Sequence, residues 1–162
     1  MKKILISSLI ISGLLASAPG LAAQQFAHHH SGEKPEQNNQ HKLNVVKALY
    51  AGFFNGHDAN VAKELITEDY KQHNPFVANG RAPFLEYFTQ QFIDNPQYSA
   101  KIYRSAVSGD LVYVHVKYQN NPQDLGTASV DIYRVNDQGK ITEHWDVNQP
   151  VPADPANDNT MF

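Results

Sequence analysis

Apolar residues recur at helical spacing through the first half of the chain and at alternate positions through the second. From His41 onward, Leu43, Val46, Leu49, Tyr50 and Phe53 fall three or four residues apart and form one stripe, which predicts a helix. Gly56 suits its end, and Asp58 can N-cap a short second helix carrying Val61, Ala62, Leu65 and Ile66. Residues 69–75, D-Y-K-Q-H-N-P, read as extended, because a residue preceding proline avoids the helical region. After the Asn79-Gly80 turn a third helix is predicted from Arg81. It tolerates Pro83 in its first turn and buries Phe84, Leu85, Phe88 and Phe92.

Past Asn95-Pro96 the period becomes two. Strands are predicted at 98–107, 111–118, 127–135 and 140–147, joined by connections too short for helical crossovers, so successive strands run antiparallel. Helices followed by strands argue an α+β fold, with the helices packed on one face of a curved sheet.

Alternation then sorts side chains by face. On the last strand Thr142, His144 and Asp146 share one side, against Ile141, Glu143, Trp145 and Val147. Tyr113, His115 and Lys117 oppose Val112, Val114 and Val116, while Thr127, Ser129, Asp131 and Tyr133 oppose Ala128, Val130 and Ile132. Each strand thus has an apolar face and a face mixing rings with ionisable groups. Two arrangements fit: a wet outer surface, or the lining of a cavity closed by the aromatic-rich helices and suited to acid–base chemistry.

The N-terminus changes the picture. A basic start, an apolar run over residues 4–15 and small residues around Ala22 have the layout of a secretory signal peptide, so residues 1–22 are expected to be removed and no membrane span to remain. Residues 23–40 are polar and read as a disordered leader to a domain spanning 41–162, whose final stretch, 149–162, is a tail. An exported chain with no cysteine fits a periplasmic protein held by its core alone. Removing Lys2 and Lys3 from 13 basic residues leaves 11 against 16 acidic ones, a net −5, and there is no basic stripe; nucleic-acid binding is disfavoured.

D-Y-K-Q-H-N-P-F-V-A-N-G-R, the helix with F-L-E-Y-F, then S-G-D-L-V-Y-V-H and finally D-I-Y-R-V-N-D-Q-G-K-I-T-E-H-W-D-V together resemble the SnoaL-like polyketide cyclases of the nuclear-transport-factor-2-like superfamily. The resemblance runs from about Leu43 to Phe162. It implies a cone, in which a strongly bent antiparallel sheet and three N-terminal helices enclose a pocket, commonly in a homodimer. Related enzymes, among them ketosteroid isomerase and limonene epoxide hydrolase, work through pocket carboxylates. Asp146 looks similar in position to the sheet aspartate of that hydrolase. Its arginine–aspartate pair would fall near His115 and Lys117, a departure that argues against epoxide hydrolysis here, and its polar residues before the third helix fall near His73 and Asn74.

On this reading Asp146 is the general acid/base, since a carboxylate among apolar rings holds a proton more readily than in water. His73 assists by polarising a carbonyl or sharing the proton. His115, Asn74, Tyr113, Lys117, Asp131 and His144 are candidates for contacting substrate, with Lys117 and Asp131 in reach of an ion pair on neighbouring strands. The histidines and aspartates make a metal the competing reading. There is no His-x₃-His helix and no cysteine set, and His28-His29-His30 in the leader fixes no geometry, so neither metal nor cofactor is expected. Nucleophilic serine chemistry lacks its G-x-S-x-G elbow. The expectation is a cofactor-independent cyclase, isomerase or lyase acting on a small apolar carbonyl compound. The alternative is a non-catalytic periplasmic protein that binds such a ligand. Whether Met161-Phe162 plugs a pocket stays open at this point.

Overall fold

The computed structural model describes residues 35–162, so the signal peptide and most of the leader expected from the sequence lie outside the described residues. Helix α1 spans Pro35–Ala48 and continues directly into a π-helical segment, Leu49–Phe54. It starts six residues before the expected His41. Proline is compatible with a first helical turn, and the polar turn that follows lies along the surface, so it needs no apolar stripe to be helical. The wide π turn brings Phe54 onto the buried side beside Leu49, Tyr50 and Phe53. Helix α2 is Ala59–Leu65, capped as expected by Asp58, whose side chain accepts from the Asn60 N–H at 2.9 Å. Strand β1, Ile66–Gln72, follows without a loop, because Ile66 is already extended at φ −101° and ψ 135°. Helix α3, Arg81–Asp94, is tied back to that junction by Arg81, whose guanidinium donates to the carbonyls of Lys63 and Ile66. Among the described residues no helix is long and apolar enough to cross a membrane.

Strands β2 (Ser99–Ser108), β3 (Leu111–Gln119), β4 (Thr127–Val135) and β5 (Ile141–Pro150) pair antiparallel in sequence, as expected. Strand β1 joins parallel to β5, giving the order β1-β5-β4-β3-β2 in a curved, open sheet. This is the α+β cone that the resemblance implied. Its concave side holds the core. Val112, Val114 and Val116 of β3, Tyr133 and Val135 of β4, and Ile141 of β5 pack against Val46, Leu49, Phe53 and Phe84 of the helices.

One irregularity in β5 decides what faces the core. Arg134 pairs with Glu143 but Val135 pairs with Ile141, so Thr142 is an extra residue, a β-bulge. Strict alternation sets Ile141 against His144 and Asp146. The bulge puts Ile141, His144 and Asp146 on the same, concave side, letting an apolar anchor and two polar groups share one strand face.

The β4–β5 turn ends on Gly139 at φ +69°, where a Cβ would stand 2.7 Å from His41 Nε2 on α1. A side chain here meets both left-handed strain and a clash. Gly139→Ala is expected to cost about 1–2 kcal/mol in urea unfolding.

The tail returns over the convex side of the sheet. Phe162 stacks on Tyr103 at 4.9 Å and on His115 at 5.7 Å, and Lys117 Nζ lies 5.5 Å from its ring centre. The C-terminal phenylalanine thus covers the outer face and stays out of the concave cavity.

Candidate functional site

Between the helices and the concave sheet lies a cavity of about 400 Å³. Phe54, Phe84, Phe88 and Tyr98 form an aromatic wall, and Asn74, Asp131, His144 and Asp146 supply polar groups on the other side. The polar set follows from register. Directly opposed residues of an antiparallel pair share a face, and β4 opposes β5 as Ser129 to Asn148, Asp131 to Asp146 and Tyr133 to His144.

The same rule removes three candidates. On β3 it is Val112, Val114 and Val116 that pair with Tyr133, Asp131 and Ser129, so the valines face inward and Tyr113, His115 and Lys117 face the convex side. The sequence reading had grouped the polar faces of all three strands; the apolar face of β3 is in fact continuous with the polar faces of β4 and β5. His115 bonds Arg104 at 3.0 Å. Lys117 and Asp131 lie on opposite faces and form no ion pair.

His73 also stays away from Asp146. Its ring stacks on Trp145 at 4.6 Å, nearly parallel, and its Nε2 lies 2.9 Å from Glu143 Oε1. Arg134 covers Trp145 and donates to both Glu143 and Asp110. Bonds from Arg134 and His73 hold the Glu143 carboxyl below its usual range. This convex-side cluster joins β1, β4 and β5. Trp145 accordingly packs outside the core, as its phase on the strand requires.

Asn74, one residue on, points inward. Its Nδ2 donates to Asp146 Oδ2 at 2.7 Å, while its Oδ1 accepts from the Phe76 N–H and so fixes the turn. Asp146 is half-buried, and its other oxygen has no hydrogen-bond partner among the described residues.

Asp131, 1% exposed, is the most deeply set carboxylate among the described residues. Its Oδ1 accepts from Ser129 Oγ at 2.5 Å, and its Oδ2 accepts from Tyr118 OH at 2.5 Å and from Tyr50 OH. Burial alone would raise its pKa; the His144 imidazole 3.7 Å away, with the Ser129 and Tyr118 hydroxyls, outweighs that and holds the carboxyl below its usual range. The same burial, with the Asp131 charge, pushes the phenols of Tyr50, Tyr118 and Tyr133 well above their ordinary value, so they stay protonated donors. His144 Nδ1 lies 2.9 Å from Gln72 Oε1.

Of the expected residues, then, Asp146, Asn74, Asp131 and His144 converge, and His73, His115, Tyr113 and Lys117 do not. The sequence reading missed Gln72, Tyr50 and Tyr118. Tyr50 sat in an apolar helix stripe and Tyr118 in phase with three valines, so both read as wall; only their hydroxyls meeting at Asp131 show otherwise.

The SnoaL-like domain profile matches residues 46–144, more than half of the chain, and the chain belongs to that family. Solved structures share the fold. IdmH of Streptomyces antibioticus, assigned as a polyketide cyclase, superposes with a TM-score of 0.57 at 22% identity, over 66% of this chain and 91% of its own. A protein of Bacillus cereus ATCC 10987, also assigned as a polyketide cyclase, gives 0.57 at 24% identity over 67% and 74%. A SnoaL-like protein of Jannaschia sp. CCS1 gives 0.59 at 16% identity over 74% and 91%. Among curated proteins none matches.

Proposed function

We propose that the cavity takes a small, largely apolar carbonyl compound and that Asp146 exchanges a proton with the carbon beside its carbonyl, in an aldol-type cyclisation, isomerisation or lyase step. The supporting observation is the asymmetric setting of Asp146. Asn74 holds one oxygen at 2.7 Å, and the other is left for a ligand in an aromatic-walled space. The cyclase assignments of the structural neighbours agree with such chemistry. Native mass spectrometry of protein purified from its own host tests the reading. An altered compound released on incubation supports catalysis. A ligand carried through and returned unchanged identifies a sequestering protein instead, the role that the aromatic wall alone would also serve.

We further propose that the chain acts outside the cytoplasm, on the signal-like layout of residues 1–22, and as a homodimer. Val130 and Val147 are direct partners on the convex face, 44% and 74% exposed, and give a second copy an apolar patch. Val147→Asp is expected to convert dimer to monomer in size-exclusion chromatography with light scattering. A wild-type protein that elutes as a monomer defeats this assignment.

A further inference from the structure

His144 carries a buried atom that nothing among the described residues satisfies. The Asn74 backbone N–H donates to Gln72 Oε1 at 3.0 Å, which marks that atom as the amide oxygen. The same oxygen is the partner of His144 Nδ1 at 2.9 Å, so Nδ1 carries the proton of that bond. In a neutral imidazole Nε2 is then a bare lone pair. His144 is only 7% exposed, and Nε2 has no hydrogen-bond partner among the described residues. It faces Asp131 Oδ1 at 3.7 Å. Ligand atoms of Asp131, His144 and Asp146, one from each, lie within 4.8 Å of one another.

Charge and distance point the same way. Among the described residues neither Asp131 nor Asp146 has a lysine or arginine as ion-pair partner. A deeply buried carboxylate needs a countercharge. The 3.7 Å between His144 Nε2 and Asp131 Oδ1 is longer than a hydrogen bond, and it is a separation that a first-row divalent ion bridges with bonds of about 2.0–2.2 Å to each atom. The outer contacts that orient metal ligands are present as well: Gln72 on His144, Ser129 and Tyr118 on Asp131, Asn74 on Asp146.

We propose that Asp131, His144 Nε2 and Asp146 form a binding site for one first-row divalent cation, of the zinc, iron(II) or manganese(II) kind. Two carboxylates balance its charge, and its remaining positions open into the cavity, where a carbonyl or hydroxyl oxygen of a bound compound can ligate it. The proposal goes beyond the acid–base reading. With the cation bound, Asp146 is a ligand and the ion polarises the carbonyl; without it, Asp146 is the free base.

The test uses the mature chain with His28, His29 and His30 changed to alanine, so that the leader histidines take up no metal. After dialysis against EDTA, Zn²⁺ is titrated by calorimetry and Co²⁺ by visible absorption. One equivalent is expected to bind at micromolar concentration or below, with cobalt d–d bands. His144→Gln and Asp131→Asn should each weaken binding at least about 10–100-fold, no less than losing an outer-shell contact does. Should Asp131→Asn fail to fold by circular dichroism, His144→Gln decides alone. No uptake up to millimolar Zn²⁺, or uptake unchanged in His144→Gln, overturns the site. Turnover that survives EDTA in a chain that binds no Zn²⁺ defeats the cation and leaves Asp146 as the base. Uptake combined with full turnover in Asp146→Asn supports the cation and removes the base.

Discussion

Asp146→Asn is expected to lower turnover of the native compound about 10²–10⁴-fold, the range a positioned general base contributes. The substitution is nearly isosteric. An asparagine oxygen at 146 still accepts from Asn74 Nδ2, now 2.7 Å from Asp146 Oδ2, so the turn through Asn74 and Phe76 should hold. What disappears is the basic oxygen. Circular dichroism and the unfolding midpoint should therefore stay close to wild type while turnover collapses. His73→Ala is the matched control. That ring packs on Trp145 and Glu143 at the convex side, so its loss should leave turnover near wild type. Full activity in Asp146→Asn would remove Asp146 as the base, and collapse in His73→Ala would show that the chemistry has been placed on the wrong face of β5.

The largest stability effect is expected at Asp131. Replacing it with alanine removes the acceptor that Tyr50, Tyr118 and Ser129 share, leaving Ser129 unpaired and the tyrosine hydroxyls with only one another, and removes the carboxylate 3.7 Å from His144. Each buried donor left unpaired costs about 1–3 kcal/mol, and such losses are not additive within one network. A combined loss of about 3–5 kcal/mol in urea unfolding follows, large against a typical domain stability of about 5–15 kcal/mol. Asp131→Asn keeps the shape and one acceptor oxygen and should cost less. A loss below about 1 kcal/mol in Asp131→Ala would mean that water replaces the carboxylate freely, and that the hydroxyl cluster does not hold the concave floor together.

Much of this fold was legible in the chain, because its elements are strongly periodic. The apolar stripe from Leu43 to Phe53, the Asp58 cap and the four alternating strands all correspond to elements in the structure. An extended segment was legible at residues 69–72, but the earlier start of β1 at Ile66 and its parallel pairing with β5 were not, since an extended segment does not name its partner. For the site, alternation on β5 grouped His144 with Asp146 correctly. It failed between strands. Which face of β3 joins which face of β4 is a matter of register, and Val114 opposite Asp131 is a fact of pairing that neither strand records alone. The bulge at Thr142 has the same standing: it shows only where two strands meet. His73 was misplaced for a simpler reason. It and Asn74 are adjacent in an extended segment, so only one of them can face inward.

Trp145 is the chain's only tryptophan, and it lies on the convex side between the His73 ring and Arg134. Its fluorescence therefore reports on the side of the sheet opposite the cavity. A compound filling the cavity behind the strand need not alter it. An unchanged emission spectrum during a ligand titration is thus no evidence that the cavity is empty. The signal to follow instead is tyrosine absorbance, because Tyr50, Tyr118 and Tyr133 meet at the concave floor.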